Sequence, residues 1–511
     1  MHTQRQILDD PGIAPSLTEP CDVAEVSGVW RRLATEGVMF PMKSGDLAMR
    51  IGHERQLFVD NALIASATDV TRQVHQPEPC RDRPVLAADE NDFRVQVLHV
   101  LQFDQAPRFR MWYWSGQNWH DWGDREETRF ATSYAVSDDG LEWPRPQLGL
   151  HAIDGWPEKN IVIPYGHMHG LFHEPWEADP ARRFKALVCV ERRNRDTGED
   201  TIREGYYLHT SPDGIHWTGD LSRCLIPSLD GYAYPQSGVG DTTRFWWDPY
   251  RRRYIGDVKF VIPRKQRCRG IMESDDLVHW SRPVPTLFGR EEGQQIYGHR
   301  GYPYEGLYIG MHWIYQPALD EMKCGHAMNV ELDCSRDART WTRVGAGQPF
   351  MPYQDRWDGW VVKPTAMLLV DDEIRIYYCA KGSPVARERG DAIRGWSTGV
   401  SRLRRDGFAS INAEEKSGRI VTRPLGFSGR RLQVNATVEE GGSIRVGFRS
   451  TDNAATVSGR GIEDAVPIGP GDDLDRVVAW ETGDDVSALS GTDARIEFEL
   501  TRAKLYSFRV E

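Results

Sequence analysis

A seven-residue turn returns along this chain at nearly even intervals, and no other feature restricts the fold as strongly. Ser137-Asp138-Asp139-Gly140-Leu141-Glu142-Trp143 comes back as Ser211-Pro212-Asp213-Gly214-Ile215-His216-Trp217 and as Ser274-Asp275-Asp276-Leu277-Val278-His279-Trp280. Ser335-Arg336-Asp337-Ala338-Arg339-Thr340-Trp341 is a looser copy, and Arg405-Asp406-Gly407-Phe408 is a decayed fifth with Phe in place of Trp. The aromatic ends lie 74, 63, 61 and 67 residues apart. That period is too long for the common helical solenoids and long enough for a four-stranded propeller blade. Ser and Asp side chains bond nearby backbone N–H groups and Gly takes a positive φ, so the chain reverses tightly. The Trp is expected to start the next strand and to pack its ring between neighbouring blades. These residues speak to fold and not to chemistry.

Between the turns the apolar runs repeat in the same order. Blade one reads as Leu98 to Phe103, Phe109 to Trp114 and Thr132 to Val136. Blade two has Leu171-Phe172, Arg183 to Val188 and Gly205 to Leu208; blade three has Thr243 to Asp248 and Arg253 to Gly256. Blade four has Gly306 to Gly310 and Ala327 to Leu332; blade five has Thr365 to Leu369 and Glu373 to Tyr378. Near-continuous apolar runs suit strands buried on both faces. After Phe408 the texture changes to short alternating strands (432–435, 443–448, 494–500) separated by Gly and Asp clusters, the pattern of a β-sandwich. Ahead of the repeats, Asp22 and Glu25 form a capping-box pattern, and Val26, Val29, Trp30 and Leu33 follow at helical spacing. One amphipathic helix is expected over 22–36, packed on the propeller or on a second subunit, which leaves a homo-oligomer open. Gln56 to Asp60 reads as a strand that latches the ring shut. The expected class is all-β: an N-terminal extension over 1–50, a five-bladed propeller over 51–415 and a β-sandwich over 416–511.

Charge and composition narrow the partners. The formal net charge of −12 argues against nucleic acid or an anionic membrane as main partner. No run of eighteen apolar residues exists to span a membrane, and Met1 to Arg5 lacks a hydrophobic signal core. A cytoplasmic protein with reduced thiols is expected; none of the eight cysteines forms a Cys-x-x-Cys pair. The 18 Trp and 18 Tyr are the informative excess, since aromatic faces suit the C–H faces of sugar rings.

The turn at 274–280 resembles the blade turn of five-bladed propeller glycosidases, both invertase/fructosidase-like and arabinofuranosidase/xylosidase-like. Asp241-Thr242 ahead of Phe245-Trp246-Trp247-Asp248-Pro249, and Leu505-Tyr506-Ser507-Phe508, are similar to a bacterial branch of that superfamily. The resemblance implies a five-bladed propeller with a C-terminal β-sandwich and activity on glycosidic bonds. The stretches Trp-Met-Asn-Asp-Pro-Asn-Gly, Arg-Asp-Pro and Glu-Cys that carry the invertase acids are missing, so no catalytic residue transfers by motif. Sialidase-like propellers have a turn one residue longer, six copies of it and an arginine triad, none of which is found here.

Glycoside cleavage needs a proton donor and a second carboxylate, about 5 Å apart for a covalent nucleophile and roughly 6.5–9.5 Å apart when a water attacks. Innermost strands start at one mouth, so acids just ahead of them are the candidates. These are Glu90 and Asp92 for blade one, Asp241 for blade three, Glu291 and Glu292 for blade four, and Asp355 and Asp358 for blade five. Asp241, Glu90, Asp92 and Asp358 are the expected catalytic set. Blade two presents His167 and His169 instead, a pair whose rings point the same way on a strand, suited to substrate hydrogen bonding; no metal or cofactor is expected. Tyr297, Trp357 and Trp360 are candidate stacking surfaces, and Arg244, Lys259, Arg269 and Lys363 are candidate partners for a substrate carboxylate. The function expected is a glycoside hydrolase or transglycosidase acting on a small sugar, furanosides included. The alternatives are a non-catalytic carbohydrate-binding propeller and a glycoside phosphorylase, which would need a basic mouth.

Overall fold

The computed structural model describes residues 48–89, 92, 94–116, 130–153, 160–190, 203–227, 242–262, 266–290, 294–315, 327–383, 386, 388–390, 395–451 and 455–511. Contacts divide the chain into Met1–Ser44 and Gly45–Glu511, and the described residues belong to the second unit. The expected helix over 22–36 lies outside them. Among the described residues no helix is long and apolar enough to cross a membrane.

Five antiparallel blades account for residues 78–404. Blade one is Gln96–Gln102, Phe109–Gly116, Phe130–Ser137 and Ile161–Ile163. Blade two is His167–His173, Phe184–Val190 and Gly205–Ser211, edged by Thr218–Gly219 and Ile226–Pro227. Blade three is Arg244–Asp248, Arg253–Ile262, Gln266–Ser274 and Val284–Leu287. Blade four is Gln295–Tyr304, Leu307–Tyr315 and Met328–Ser335, edged by Thr342–Arg343 and Pro349–Met351. Blade five is Val361–Val370, Glu373–Lys381 and Ser397–Arg404, and its outer strand is Glu78–Pro79. That outer strand is the latch: Pro79 and Glu78 pair with Ser401 and Arg402. Proline is tolerated there because it occupies a sheet edge. The expected latch, Gln56–Leu57, pairs instead with Phe508 and Ser507.

The innermost strands are clasped in a ring by side chains that bond the next strand's backbone. The His99 imidazole bonds the Met168 carbonyl, and His169 bonds that of Thr243. Thr242 Oγ1 donates to the Tyr297 carbonyl at 2.9 Å, and Arg300 Nη1 donates to that of Thr365. Thr365 Oγ1 donates to the Val97 carbonyl at 2.9 Å, which returns to blade one. Four of these strands are also bulged near their starts, between Val97 and His99, Met168 and Gly170, Ile296 and Gly298, and Pro364 and Ala366. A bulge adds a residue to one strand and re-aims the side chains after it.

The repeated turn does what its residues dictate. Ser137 Oγ accepts from Gly140 N–H at 2.8 Å, and Asp139 Oδ1 accepts from Leu141 and Glu142 N–H at 2.8 and 2.9 Å. The second and third copies repeat this pattern. The first two turns are also cement between blades. The Gly214 carbonyl accepts from Trp112 Nε1 of blade one at 2.7 Å, and the Gly140 carbonyl accepts from Tyr377 OH of blade five at 3.0 Å. Gly214 has φ +82°, and a Cβ there would stand 2.7 Å from the Trp112 ring. Glycine is therefore needed twice over, for the left-handed backbone and for the close approach.

The decayed fifth turn has left the propeller. Ala409–Ala413 after it pairs with Thr71–Val74 and with the long strand Asp493–Val510. Asp406, fully buried, accepts from Tyr304 OH at 2.6 Å, Ser507 Oγ at 2.6 Å and Asn435 Nδ2 at 3.0 Å, with Arg55 Nη1 at 3.6 Å. Where the first two copies join blade to blade, this one joins blade four to a ten-stranded C-terminal sheet. Leu432–Ser450 and Asp493–Val510 form that sheet's spine, and it also recruits strands from 49–74. One apolar core holds it together, including Phe58, Phe448, Trp480, Phe498 and Phe508.

Gly149 also has a positive φ, +65°, but open space where a Cβ would stand. Gly149→Ala is expected to cost about 1 kcal/mol of stability from backbone strain alone. Gly214→Ala is expected to cost at least about 1 kcal/mol more, because Trp112 must move. Urea unfolding of both variants measures the difference; equal losses would mean that the contact with Trp112 carries no energy.

Candidate functional site

Where the innermost strands begin, side chains from all five blades form a rim of rings and cations. Tyr297, third in its strand, is the hub. Lys259 Nζ lies 4.8 Å and Lys363 Nζ 5.2 Å from its ring centre, with the Arg267 guanidinium at 5.8 Å. Lys363 Nζ is also 4.2 Å from the Trp396 ring. Trp396 pairs through its backbone with Arg94, whose guanidinium sits 4.1 Å over Trp114. Trp114 packs on His167 at 4.0 Å, and His167 stacks on His169 at 4.5 Å and 24°. Tyr297, Lys363, Trp396, Trp114 and Arg267 are half-buried, while Lys259, Arg94, His167 and His169 are buried. Cations held over ring faces gain from the ring quadrupole, more so when partly desolvated. The expected residues Lys259, Tyr297, Lys363, His167 and His169 thus lie along one continuous run of contacts.

Asp92 stands just ahead of the innermost strand of blade one. It is fully buried, and its Oδ1 accepts from Gly116 N–H at 3.0 Å and Arg94 N–H at 3.3 Å. Glu90, Asp241, Glu291 and Glu292 lie outside the described residues. Asp358 is differently engaged: Arg356 binds both its oxygens at 2.9 and 2.8 Å, and Tyr378 OH donates to Oδ2 at 2.7 Å. Trp357 and Trp360, expected as stacking surfaces, are 7% and 5% exposed and belong to an apolar core with Trp313 and Tyr378. Arg269, fully buried, spends its donors on Asp257, Thr242 and the Tyr297 carbonyl.

Arg244 opens the innermost strand of blade three. Its guanidinium lies 5.6 Å from the Trp313 ring and donates to its neighbour's Thr243 carbonyl at 3.2 Å. His169 is pushed well below the ordinary histidine range by burial, with His167, Arg244 and His99 adding to the effect.

Behind the rim runs a buried polar chain that the sequence did not signal, because its members have no local motif. Asp257 receives Arg269 Nε at 2.7 Å on Oδ1 and His299 Nδ1 on Oδ2. His299 Nε2 donates to Asp333 Oδ1 at 3.2 Å, and Asp333 Oδ2 is 3.4 Å from His312 Nδ1. Burial alone would lower the His299 pKa; Asp333 and Asp257 on either side outweigh it and raise it to about 9. Burial and the nearby Arg343 push His312 down to about 3. Burial works against the Asp333 carboxylate, but His299 and His312 hold it well below the usual range. The chain is thus a cation clamped between two carboxylates, tying blade three to blade four.

No protein-family model matches the chain, and no curated protein matches it by sequence. It is similar in structure to a protein described as a glycoside hydrolase, at 14% identity over 64% of this chain and 92% of that one, with a TM-score of 0.46. It is also similar to a Bacillus subtilis family 43 arabinoxylan arabinofuranohydrolase in complex with cellotetraose, at 12% identity over 82% and 96% of the two chains, TM-score 0.37. A third likeness is to a structure titled for the GH130 family of mannoside phosphorylases, which contains glycoside hydrolases targeting β-1,2-mannosidic linkages in Candida mannan. There the identity is 12% over 68% and 96%, with a TM-score of 0.41. None of these likenesses assigns a role to a residue of this chain.

The clamped histidine has a pH signature. Its folded pKa, about 9, lies above the ordinary 6.5. Its contribution is therefore complete below about pH 6.5 and lost as the pH climbs through 9, up to about 3 kcal/mol in all. Unfolding free energy measured from pH 6 to 10 is expected to fall more steeply for the wild type than for His299→Gln. Parallel curves would show that His299 is not held protonated.

Proposed function

We propose that this chain cleaves glycosidic bonds, as a hydrolase or transglycosidase, on a small sugar bound at the rim. The observation that carries this reading is the convergence on Tyr297 of Lys259, Arg267 and Lys363, beside Trp396 and Trp114. Half-buried aromatic faces take up the C–H face of a sugar, and the cations around them fix hydroxyl or acidic substituents. Asp92, together with Glu90 and Asp241, which precede innermost strands in the sequence, supplies the carboxylates. One donates a proton to the leaving oxygen; the other attacks the anomeric carbon or activates water, according to their separation. Asp358 has no part in this, since both its oxygens are held by Arg356. Furanosides are among the substrates proposed.

A phosphorolytic variant is the second reading, because the same rim brings together four cationic side chains, Arg94, Lys259, Arg267 and Lys363, suited to a phosphate as well as to a sugar.

Asp241→Asn and Asp92→Asn, assayed on a panel of aryl pyranosides and furanosides, are each expected to lower kcat at least about 100-fold. Tyr297→Ala is expected to raise KM more than it lowers kcat. A wild-type protein that binds sugars in calorimetry but cleaves none of the panel, with or without phosphate, would leave the non-catalytic alternative standing.

A further inference from the structure

Below the rim, the channel between the blades holds two guanidiniums with no carboxylate at ion-pair distance among the described residues. Arg244 is 7% exposed; its Nε meets no partner, and its one bond is to the Thr243 carbonyl. Arg300 lies deeper along its strand than Tyr297. Its Nη1 is spent on the Thr365 carbonyl, its Nε meets no partner, and its guanidinium lies 4.9 Å from the Tyr302 ring. The Tyr302 hydroxyl, in a residue 4% exposed, and His99 Nε2, in a residue 3% exposed, are likewise without partners.

These groups meet on the axis. His99 belongs to blade one, and its imidazole feels Arg300 of blade four and Arg244 of blade three. Neither blade neighbours blade one, so the three side chains reach each other only across the central channel. Tyr302 feels the same two guanidiniums. Arg244 is buried and Arg300 half-buried, and holding two guanidiniums within mutual repulsion with no carboxylate among the described residues to pair them is costly. Elsewhere the chain pairs its buried cations: Arg269 with Asp257, Lys185 with Glu174, Arg343 with Glu331.

We infer that Arg244, Arg300, Tyr302 and His99 form a binding site for a small oxyanion on the propeller axis. The guanidiniums and the tyrosine hydroxyl donate to its oxygens. His99 donates to the Met168 carbonyl, which leaves Nε2 as an acceptor for an O–H on the ligand. Two sources share this chemistry: free inorganic phosphate, or an acidic group carried by the sugar. With free phosphate, a phosphate oxygen forms the bond to the anomeric carbon while the aglycone oxygen departs with the proton of the acid. The binding itself does not require the rim to be a glycosidase site, but the choice of source rests on that reading.

The test is calorimetric titration of the full-length protein with inorganic phosphate, sulfate, sodium glucuronate and, as neutral control, glucose. Saturable binding of at least one anion, and none of glucose at equal concentration, is expected. Tyr302→Phe removes one hydroxyl and should weaken anion binding about five- to tenfold; Arg244→Gln should weaken it more than about tenfold. Near-UV circular dichroism reports whether each variant keeps its fold, and Tyr302→Phe carries the test if Arg244→Gln does not. Phosphate binding with phosphate-dependent cleavage of the glycoside panel assigns the free ion. Glucuronate binding without a phosphate effect assigns a group on the sugar. Anion binding without any cleavage keeps the axial site and removes the glycosidase reading. Absence of anion binding, or binding indifferent to both substitutions, overturns the proposal even if glycosides are cleaved.

Discussion

The ring stays closed because each innermost strand reaches over and holds the next one by its backbone. Five side chains do this in sequence: His99, His169, Thr242, Arg300 and Thr365. Apolar packing between blades is strong but indifferent to register, whereas a hydrogen bond to a particular carbonyl fixes one strand against its neighbour to within a residue. In a channel where few apolar atoms fit, these bonds also satisfy carbonyls that would otherwise be buried without donors. The polarity of the axis is therefore first a requirement of closure. Its functional use follows from having more cationic donors there than the clasp consumes: Arg300 spends one nitrogen on Thr365, and Arg244 clasps no neighbouring strand.

The repeated turn was legible because its bonds are local. Ser137, Asp139 and Gly140 close on each other within four residues, so sequence order and spatial order agree. Five blades and an all-β chain follow from counting those turns. The latch was not legible, because Glu78–Pro79 is two residues long and makes sense only beside Ser401 and Arg402, over three hundred residues away. Gln56–Leu57 looked the better strand by composition, and it is a strand, but its partner is the C-terminal sheet. The fifth turn kept its Asp and lost its Trp for the same kind of reason. Asp406 now answers to Tyr304, Asn435 and Ser507, and no following blade requires an indole.

At the mouth, the sequence candidates Lys259, Tyr297, Lys363, His167 and His169 come together along one run of contacts. Arg94 escapes because it stands two residues after Asp92, ahead of its strand, where the sequence candidates are acids and the candidate cations all lie within strands. The axial residues His99, Arg300 and Tyr302 escaped for a structural reason. Strand alternation assigns faces by parity, and the two innermost strands that carry them break parity with a bulge at or just before these positions. Trp357 and Trp360 mislead in the opposite sense: they flank a loop acid in sequence, yet their rings face inward to the core shared by blades four and five.

The rim and the buried polar chain are mechanically one object. Asp333 holds His299, His299 holds Asp257, Asp257 holds Arg269, and Arg269 donates to the carbonyl of Tyr297, the hub of the rim. Each link is an ionic hydrogen bond inside protein, where the low dielectric strengthens a satisfied pair and penalises a broken one. A neutral Gln at 299 would keep a donor but lose the charge between two carboxylates. One of them would then have to take up a proton or draw the Arg269 side away from the rim. The position of the Tyr297 ring, and with it the spacing of Lys259 and Lys363 around that ring, is therefore set from between blades three and four, by groups that lie behind the rim.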